Sequence, residues 1–283
     1  MSAFSCDWLS LREPADMRSR SREVASAVSA WFGLRERMTI LDMGAGTGSN
    51  LRATAPLLCA RQAWRLVDSD GDLLDHARKA LCRWADAAED TGGGTLLLKK
   101  GHAEIVVSLL RRDLSLGLGD LSGNCDLVTA CALFDLVSAD FIRDMVRALA
   151  LTRTPFYGVL TYNGLQKWTP HRPADNQIAA AFNRHQMNDK GFGAAAGPLA
   201  PALLADQFRL QGYSVVEGDS PWRLDQRERV LIAELQRGHA MAVLETGVVD
   251  AKTVETWVKV IRSAVEIGHT DIFATPGVSD EAL

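Results

Sequence analysis

Short apolar runs alternate with longer amphipathic segments along most of this chain. An apolar run that is bounded by glycine, aspartate or other polar residues predicts a buried strand. Such runs occur at Met38–Met43, Ala63–Val67, Asp126–Cys131, Phe156–Tyr162, Tyr213–Glu217 and His269–Thr275. Helical spacing of apolar residues occurs over Glu13–Leu34, Asn50–Ala60, Leu73–Asp90, Asp140–Leu151, Gln177–Met187, Pro201–Gln211, Gln226–Leu244 and Lys252–Val265. Two further apolar stretches, Thr95–Lys99 and Ile105–Leu110, predict either a hairpin or one strand and a linker.

This alternation of strands and helices is typical of an α/β protein whose parallel sheet is covered by helices on both faces. No charge run, low-complexity tract or linker divides the chain, so we expect a single domain over residues 1–283. The pattern predicts a helical N-terminal cap over residues 1–37 and a core over residues 38–162. Substrate-side elements and the last strands are expected over residues 163–275, and a frayed tail over residues 276–283.

Composition narrows the class of protein. The chain has 283 residues, of which 47% are hydrophobic and 23% charged, as in an ordinary folded protein. Its net charge of −4 argues against a general nucleic-acid binder. The five cysteines are odd in number and widely spaced, which favours reduced thiols over disulfides or a metal site. No signal peptide or membrane-length apolar run is present, so we expect a cytoplasmic protein without a membrane partner.

The strongest local signal lies between the first predicted strand and the helix after it. The pattern there is D-x-G-x-G-x-G, supplied by Asp42, Gly44, Gly46 and Gly48. A glycine-rich turn in this position lets the backbone approach a ligand closely. A P-loop is excluded because the turn contains no lysine, and a dinucleotide fingerprint is disfavoured because Ser49 stands where its third glycine belongs.

This turn resembles motif I of class I methyltransferases that depend on S-adenosylmethionine (SAM), and the resemblance extends over Met38–Tyr162. It implies a doubly wound seven-stranded sheet of order 3-2-1-4-5-7-6, with the last strand antiparallel. It also implies SAM as cofactor and S-adenosylhomocysteine (SAH) as product. The cofactor-binding residues that it implies are Asp42, Gly44, Ala45, Gly46, Thr47, Gly48, Asn50, Asp68, Ser69, Asp113, Leu114 and Cys131.

Two acids carry the most specific expectations of the resemblance. Asp68 ends the second strand, where the family places an acid on the ribose hydroxyls; Asp70 is a rival ligand, or a cap for the next helix. Asp113 resembles the acid that accepts a hydrogen bond from the adenine amine, although an ordinary turn residue would also explain it. A second candidate for that position is the triplet that begins at His102.

A narrower resemblance concerns a bacterial group of class I methyltransferases to which no substrate is assigned. The stretches that are similar to this group are Asp7–Asp16, Asp126–Val137, Ala181–Gln186 and Asp189–Gly193. The resemblance therefore implies fold and cofactor, and leaves the acceptor open.

The acceptor side is argued from residue chemistry. Methyl transfer gains from alignment and from a base that accepts the proton of the nucleophile. The candidate bases are Asp135, which could instead cap the next helix, and His185, which could instead lie at a surface helix end. The candidate substrate-binding residues are Arg12, Tyr162, Asn183, Arg184, Lys190 and Trp222. Trp222 could form an aromatic wall or belong to the core.

The polar segment from Asn183 to Lys190 is expected to face the cofactor across a cleft that Arg12 also reaches. Because guanidinium groups bind carboxylates and phosphates well, these residues predict a polar or anionic acceptor. The sequence leaves open whether O, N, S or C is methylated.

These observations predict a SAM-dependent methyltransferase that acts on a small molecule, as a monomer or homodimer, without nucleic acid or metal. A base-flipping amino-methyltransferase is disfavoured because Cys131–Phe134 replaces the expected D/N-P-P-Y/F motif. The alternative is a SAM-binding regulatory or degenerate protein without catalysis. An oxidoreductase with a nucleotide cofactor is a third class, which Ser49 disfavours.

Overall fold

One mixed sheet runs through the protein in the computed structural model, which describes residues 5–277. Within these residues its strands are β1 (Arg37–Met43), β2 (Arg61–Asp68), β3 (Ala87–Gly92), β4 (Thr95–Lys100), β5 (Ala103–Arg111), β6 (Leu127–Cys131), β7 (Phe156–Thr169), β8 (Tyr213–Asp219), β9 (Trp222–Leu224) and β10 (Ala264–Pro276). The α-helices are α1 (Cys6–Ser19), α2 (Arg22–Phe32), α3 (Ser49–Thr54), α4 (Gly71–Trp84), α5 (Ala139–Thr152), α6 (Asp175–Gln186), α7 (Ala200–Leu210), α8 (Arg229–Thr246) and α9 (Ala251–Val258).

The strand order confirms the predicted α/β topology. The sheet reads β3-β4-β5-β2-β1-β6-β7-β10-β8, and β9 pairs with β10. Strands β5, β2, β1, β6 and β7 are mutually parallel, while β10 lies antiparallel between β7 and β8. When β3, β4 and β9 are set aside, this is the order 3-2-1-4-5-7-6 with an antiparallel last strand. The expected seven strands are thus extended by an edge hairpin and a short strand.

The edge hairpin corrects one predicted helix. The sequence predicts a helix over Leu73–Asp90, but α4 ends at Trp84 and the polar segment after it forms β3. All six residues of β3 are exposed, and they pair with β4, so cross-strand pairing outweighs the local helix propensity of this segment. The stretches Thr95–Lys99 and Ile105–Leu110 lie in β4 and β5, which form an antiparallel hairpin. This is the first of the two arrangements that the sequence predicts for them, a hairpin and not one strand with a linker.

Both ends of the chain also differ from the prediction. The single helix expected over Glu13–Leu34 is two helices, since Ser21 interrupts it, caps α2 and donates its backbone N–H to Asp271 (2.8 Å). The helix expected over Lys252–Val265 ends at Val258, because the following residues pair with β7 as the start of β10. The predicted tail from residue 278 onward lies outside the described residues.

Three apolar clusters hold the helices to the sheet. One face is covered by α5 and α7, and the other by α2, α3 and α4. The third cluster lies where β7 and β10 extend beyond the other strands, under α6, α8 and α9. Among the helices of residues 5–277, none combines the length and apolar character that crossing a membrane requires.

Candidate functional site

A cavity of about 580 Å³ lies where β1, β2, β5 and β6 end, with α1 across it. In a doubly wound sheet this edge is where ligands bind. Its lining residues are Leu9, Arg12, Asp16, Gly44, Ala45, Gly46, Thr47, Ser49, Asn50, Asp68, Ser69, Asp70, Leu73, Arg111, Arg112, Asp113, Leu114, Cys131, Ala132, Leu133, Leu136, Lys190, Gly191 and Phe192. The glycine turn, both predicted acids and two of the predicted acceptor residues therefore share one cavity.

The three glycines of the turn have different structural roles. Gly44, Gly46 and Gly48 all have a left-handed backbone, with φ of +62°, +52° and +74°. A Cβ atom on Gly46 would lie 3.4 Å from Leu9, a cavity-lining side chain. A Cβ on Gly48 would instead lie 3.5 Å from Leu81 in α4. Gly48 thus allows close packing of α4 and, contrary to the prediction, does not line the cavity.

Asp42 supports the glycine turn through its contact with Asn50. Its side chain is fully buried, and it too lies outside the lining. Asn50 donates its amide Nδ2 to Asp42 Oδ1 (2.7 Å) and to Thr129 Oγ1 (3.1 Å). Arg20, which the sequence analysis did not single out, donates to Asn50 Oδ1 (3.0 Å). Asp42 therefore orients Asn50, which does line the cavity, and Arg20 is a partly buried cation that contacts Asn50.

Asp42→Asn is expected to remove a pH dependence of stability. Burial raises the pKa of Asp42 from its ordinary 3.8 to about 7. The folded protein therefore keeps this proton over a range in which the unfolded chain releases it, so the wild type loses stability as the pH rises from about 4 to about 7. Over this pH range, urea unfolding should show that the unfolding free energy of Asp42→Asn rises relative to that of the wild type. A difference in unfolding free energy that does not change with pH would contradict the prediction.

Asp68 stands beside the glycine turn as expected. Its Oδ2 accepts the backbone N–H of Gly46 (2.8 Å), and its Oδ1 accepts that of Asp70 (3.0 Å). A carboxylate has about four acceptor positions, so each oxygen keeps capacity for a ligand. Burial is the main cause that raises the pKa of Asp68. Asp70 also lines the cavity, but its carboxylate caps α4 by accepting from Asp72 (2.9 Å) and Leu73 (3.3 Å).

Asp113 lies in the loop after β5 and is both a turn residue and a lining residue. Its Oδ1 accepts from Ser115 N (2.8 Å), which caps the short 3-10 helix Leu114–Leu116. Hydrogen bonds from the Ser115 side chain and from its backbone N–H lower the pKa of Asp113. The rival triplet at His102 lies at the opposite end of β5, since the strand runs from residue 104 beside Arg61 to residue 111 beside Asp68. Its position excludes that triplet from the cavity.

At the other end of the cavity, Arg12 is held by Asp16. The contacts are bidentate, from Nε to Oδ2 (2.9 Å) and from Nη2 to Oδ1 (3.3 Å). Trp222 does not line the cavity, because it is buried behind this pair and donates its indole N–H to Asp16 (3.0 Å). Its ring also faces the Arg12 guanidinium at 5.2 Å. Trp222 thus acts on the cavity only through Arg12 and Asp16.

Asp135 is buried just behind the cavity wall that its neighbours Leu133 and Leu136 form. Burial raises the pKa of Asp135 to about 6, while the nearby Arg12 acts in the opposite direction. The alternative role as a helix cap is excluded, because Ser138 caps α5 by accepting from Phe141 N (3.1 Å). Burial likewise raises the pKa of Cys131 to about 12, so the cavity is lined there by a neutral thiol.

The polar segment after β7 reaches the cavity only at its end. Lys190 lines the cavity, together with the two residues that follow it. Tyr162 donates its hydroxyl to Asn183 Oδ1 (2.6 Å), and the Asn183 amide donates to the backbone of Gly164 (3.0 Å). These contacts hold both side chains away from the lining, contrary to the prediction.

Two more predicted residues of this segment also lie outside the lining. His185 points to α8, where its Nε2 lies 2.8 Å from Glu245 Oε2. The side chain of Arg184 is exposed on α6. Side chains three and four apart on one helix share a face, but consecutive ones diverge, so a run of polar residues on α6 cannot all face one cleft.

Comparison with known proteins gives the fold alone. No protein-family model and no curated protein matches the chain. The YcgJ protein of Bacillus subtilis is 12% identical, over 92% of this chain and 100% of that one, with a TM-score of 0.52. A proposed methyltransferase of Bacillus halodurans is 12% identical over 90% and 99% (TM-score 0.51), and a cyclopropane synthase of Mycobacterium tuberculosis is 14% identical over 96% and 95% (TM-score 0.51). The chain shares the Rossmann-like fold of these proteins.

Proposed function

We propose that this protein is a SAM-dependent methyltransferase. The observation that carries the proposal is the Asp68 carboxylate, which Gly46 orients and which faces the same cavity as the glycine turn and Asp113. Paired carboxylate oxygens suit the two neighbouring hydroxyls of a ribose. Asp113 and Leu114, which line the same cavity, are proposed to contact the adenine, and a bound SAM would supply an electrophilic methyl group. Gly46 fits this assignment, since a side chain there would point toward Leu9, which lines the cavity.

The acceptor is proposed to be a small polar or anionic molecule. Cofactor and acceptor must share about 580 Å³, and cavities for one drug-sized ligand already span roughly 300–1,000 Å³. Arg12 and Lys190 supply positive charge at the acceptor end. Asp135 is the remaining candidate for a base, because its buried carboxyl has a pKa of about 6 and is ionised at neutral pH. Both Asp135 and His185 lie outside the lining, and Asp135 is preferred because its neighbours Leu133 and Leu136 line the cavity, whereas His185 contacts Glu245 on α8.

Calorimetric titration with SAM, SAH and NAD tests the cofactor. We expect SAM and SAH to bind and NAD to show no heat of binding; binding of NAD in place of SAM would identify a nucleotide oxidoreductase instead. Incubation with methyl-labelled SAM and a cellular small-molecule extract then tests turnover. Transfer of label to a small molecule supports an enzyme, whereas binding of SAM without transfer in any extract favours the non-catalytic alternative.

The pair Asp68→Ala and Asp70→Ala distinguishes the two acids. Loss of hydrogen bonds to a charged acceptor costs about 1.5–3 kcal/mol, so Asp68→Ala should bind SAH roughly ten- to a hundredfold more weakly. Asp70→Ala should keep its affinity for SAH and lose about 1 kcal/mol of stability with its helix cap. The reverse result in the titrations would show that Asp70 holds the ribose.

A further inference from the structure

The acceptor end of the cavity combines two cations with an apolar wall. Arg12 and Lys190 line it, and the side chains around them include Leu133, Leu136 and Phe192. The ring of Phe192 packs edge-on against the ring of Phe141, with 5.0 Å between the ring centroids. A ligand that fills this end must therefore offer an anionic group to the cations and apolar surface to the wall. The inference rests on the proposed function, because it concerns the acceptor of the same site.

Arg12 is oriented before any ligand arrives. Two of its five N–H groups are used by Asp16, and the side chain is only 12% exposed. Trp222 fixes both members of the pair, through the hydrogen bond to Asp16 and the ring face toward Arg12. The remaining N–H groups of a guanidinium held in this way are available to a planar oxyanion in a fixed geometry.

Lys190 is oriented by a different chain of contacts. Its Nζ lies 3.4 Å from His185 Nδ1, and His185 Nε2 lies 2.8 Å from Glu245 Oε2. An imidazole whose Nε2–H donates to Glu245 presents Nδ1 as an acceptor to the ammonium group. Asp189 shapes the loop that carries the lysine by accepting from the backbone of Gly191 (2.7 Å). His185 and Glu245 thus hold Lys190 at the edge of the cavity.

We propose that the acceptor is a carboxylic acid with a small apolar body, whose carboxylate is bound by Arg12 and Lys190, and that His185 is the positioning residue for Lys190. A carboxylate is favoured over a phosphate ester because the anionic groups Asp16 and Asp135 act on the same guanidinium. Because Asp16 already pairs with Arg12 and Asp135 lies near it, a dianion would be repelled more strongly than a monoanion. The apolar body lies against Leu133, Leu136 and Phe192.

Binding of small probes to the protein with SAH bound tests this assignment. The probes are benzoate and hexanoate, their neutral amides benzamide and hexanamide, and phenyl phosphate, each titrated by ligand-observed NMR. We expect at least one carboxylate to bind at least tenfold more tightly than its amide and than phenyl phosphate. Equal binding of acid and amide, tighter binding of phenyl phosphate, or no binding of either carboxylate would overturn the proposal.

Variants assign the binding to the named cations. Lys190→Met should weaken carboxylate binding at least tenfold, while Lys167→Met should leave it unchanged, since Lys167 pairs with Glu266 on an exposed strand (3.0 Å). Arg12→Lys, which keeps the charge but loses the bidentate fork, should also weaken it. Unchanged carboxylate affinity in both Lys190→Met and Arg12→Lys would contradict the assignment.

The positioning role of His185 has its own test. His185→Gln keeps an acceptor for Lys190 and should retain most of the carboxylate affinity, whereas His185→Phe should lose several-fold. Equal affinities in the two variants, at equal thermal stability, would show that His185 has only a structural role.

SAH titrations of the same proteins distinguish failure of the proposed function from failure of the acceptor class. Absent SAH binding in the wild type contradicts the proposed function. Normal SAH binding without carboxylate selectivity contradicts only the acceptor class.

Discussion

Gly46→Val is expected to abolish SAM and SAH binding in a protein that still folds. Gly46 has a φ of +52°, a backbone conformation that costs a β-branched residue of order 1–3 kcal/mol. Its Cβ would lie 3.4 Å from Leu9, and the methyl groups beyond it would occupy the space proposed for the cofactor. We expect a loss of more than about a hundredfold in affinity, equivalent to roughly 3 kcal/mol, measured by calorimetry.

A matched control separates backbone strain from obstruction of the cavity. Gly92 also has a left-handed backbone (φ +77°), and nothing lies within 4 Å of a Cβ added there. Gly92→Val should therefore cost comparable stability and leave SAH affinity unchanged. If folded Gly46→Val binds SAH as tightly as this control does, the glycine turn is not the cofactor site.

Arg262→Met is expected to give a large loss of stability. The Arg262 side chain is fully buried and pairs with Asp175 (2.7 Å), which also accepts from the Trp257 indole (2.7 Å). Removing one partner of a buried pair leaves the other charge uncompensated, at a cost of about 3–5 kcal/mol. At roughly 2–4 °C per kcal/mol for a protein of comparable size, the melting temperature should fall by about 6–20 °C in differential scanning calorimetry.

Two further variants test the physical reason for that loss. Arg262→Met combined with Asp175→Asn should be more stable than Arg262→Met alone, because the double variant leaves no unpaired buried carboxylate. Arg223→Met should change the melting temperature little, since Arg223 pairs with Glu266 at an exposed position (3.3 Å). A double variant no more stable than the single one would show that packing around Arg262, and not its charge, provides the stability.

The same ion pair matters for the acceptor end of the cavity. Asp175 is the first residue of α6, the helix that carries His185, and Arg262 lies two residues before β10. The rings of Trp168 and Trp257 lie 5.6 Å and 5.3 Å from the guanidinium. The buried pair therefore ties α6, which carries His185, to the extended part of the sheet.

The cofactor end of the site could be predicted from local sequence. Gly44, Gly46 and Asp68 follow directly on β1 and β2, and parallel neighbouring strands bring such residues to one edge of the sheet. Asp113 was singled out through the resemblance to SAM-dependent methyltransferases, and it lies in the loop after β5. Each of these positions lies at the end of a strand or in the few residues after it. The local sequence therefore contains the signal that is needed to predict it.

The acceptor end could be predicted only in part. The sequence singles out Arg12, His185 and Lys190, but it does not single out Asp16, which pairs with Arg12, or Glu245, which contacts His185. Asp16 lies four positions after Arg12, a spacing that indicates an ion pair on a helix. That signal was missed because the helix was predicted to begin at Glu13, whereas Ser5 caps α1 and the helix begins at Cys6. Glu245 had no local signal at all.

The sequence by itself determined the alternation of strands and helices and the glycine turn, because these follow from periodicity and from residues close together in the chain; the sheet order and the roles of the acids after the strands came from the resemblance of that turn to SAM-dependent methyltransferases. The tertiary structure decided which polar side chains reach the cavity. Trp222 meets Asp16 across 206 positions and His185 meets Glu245 across 60, so their contacts depend on how distant helices and strands pack. A polar run predicts that side chains can bind a ligand, but only packing determines which of them face it.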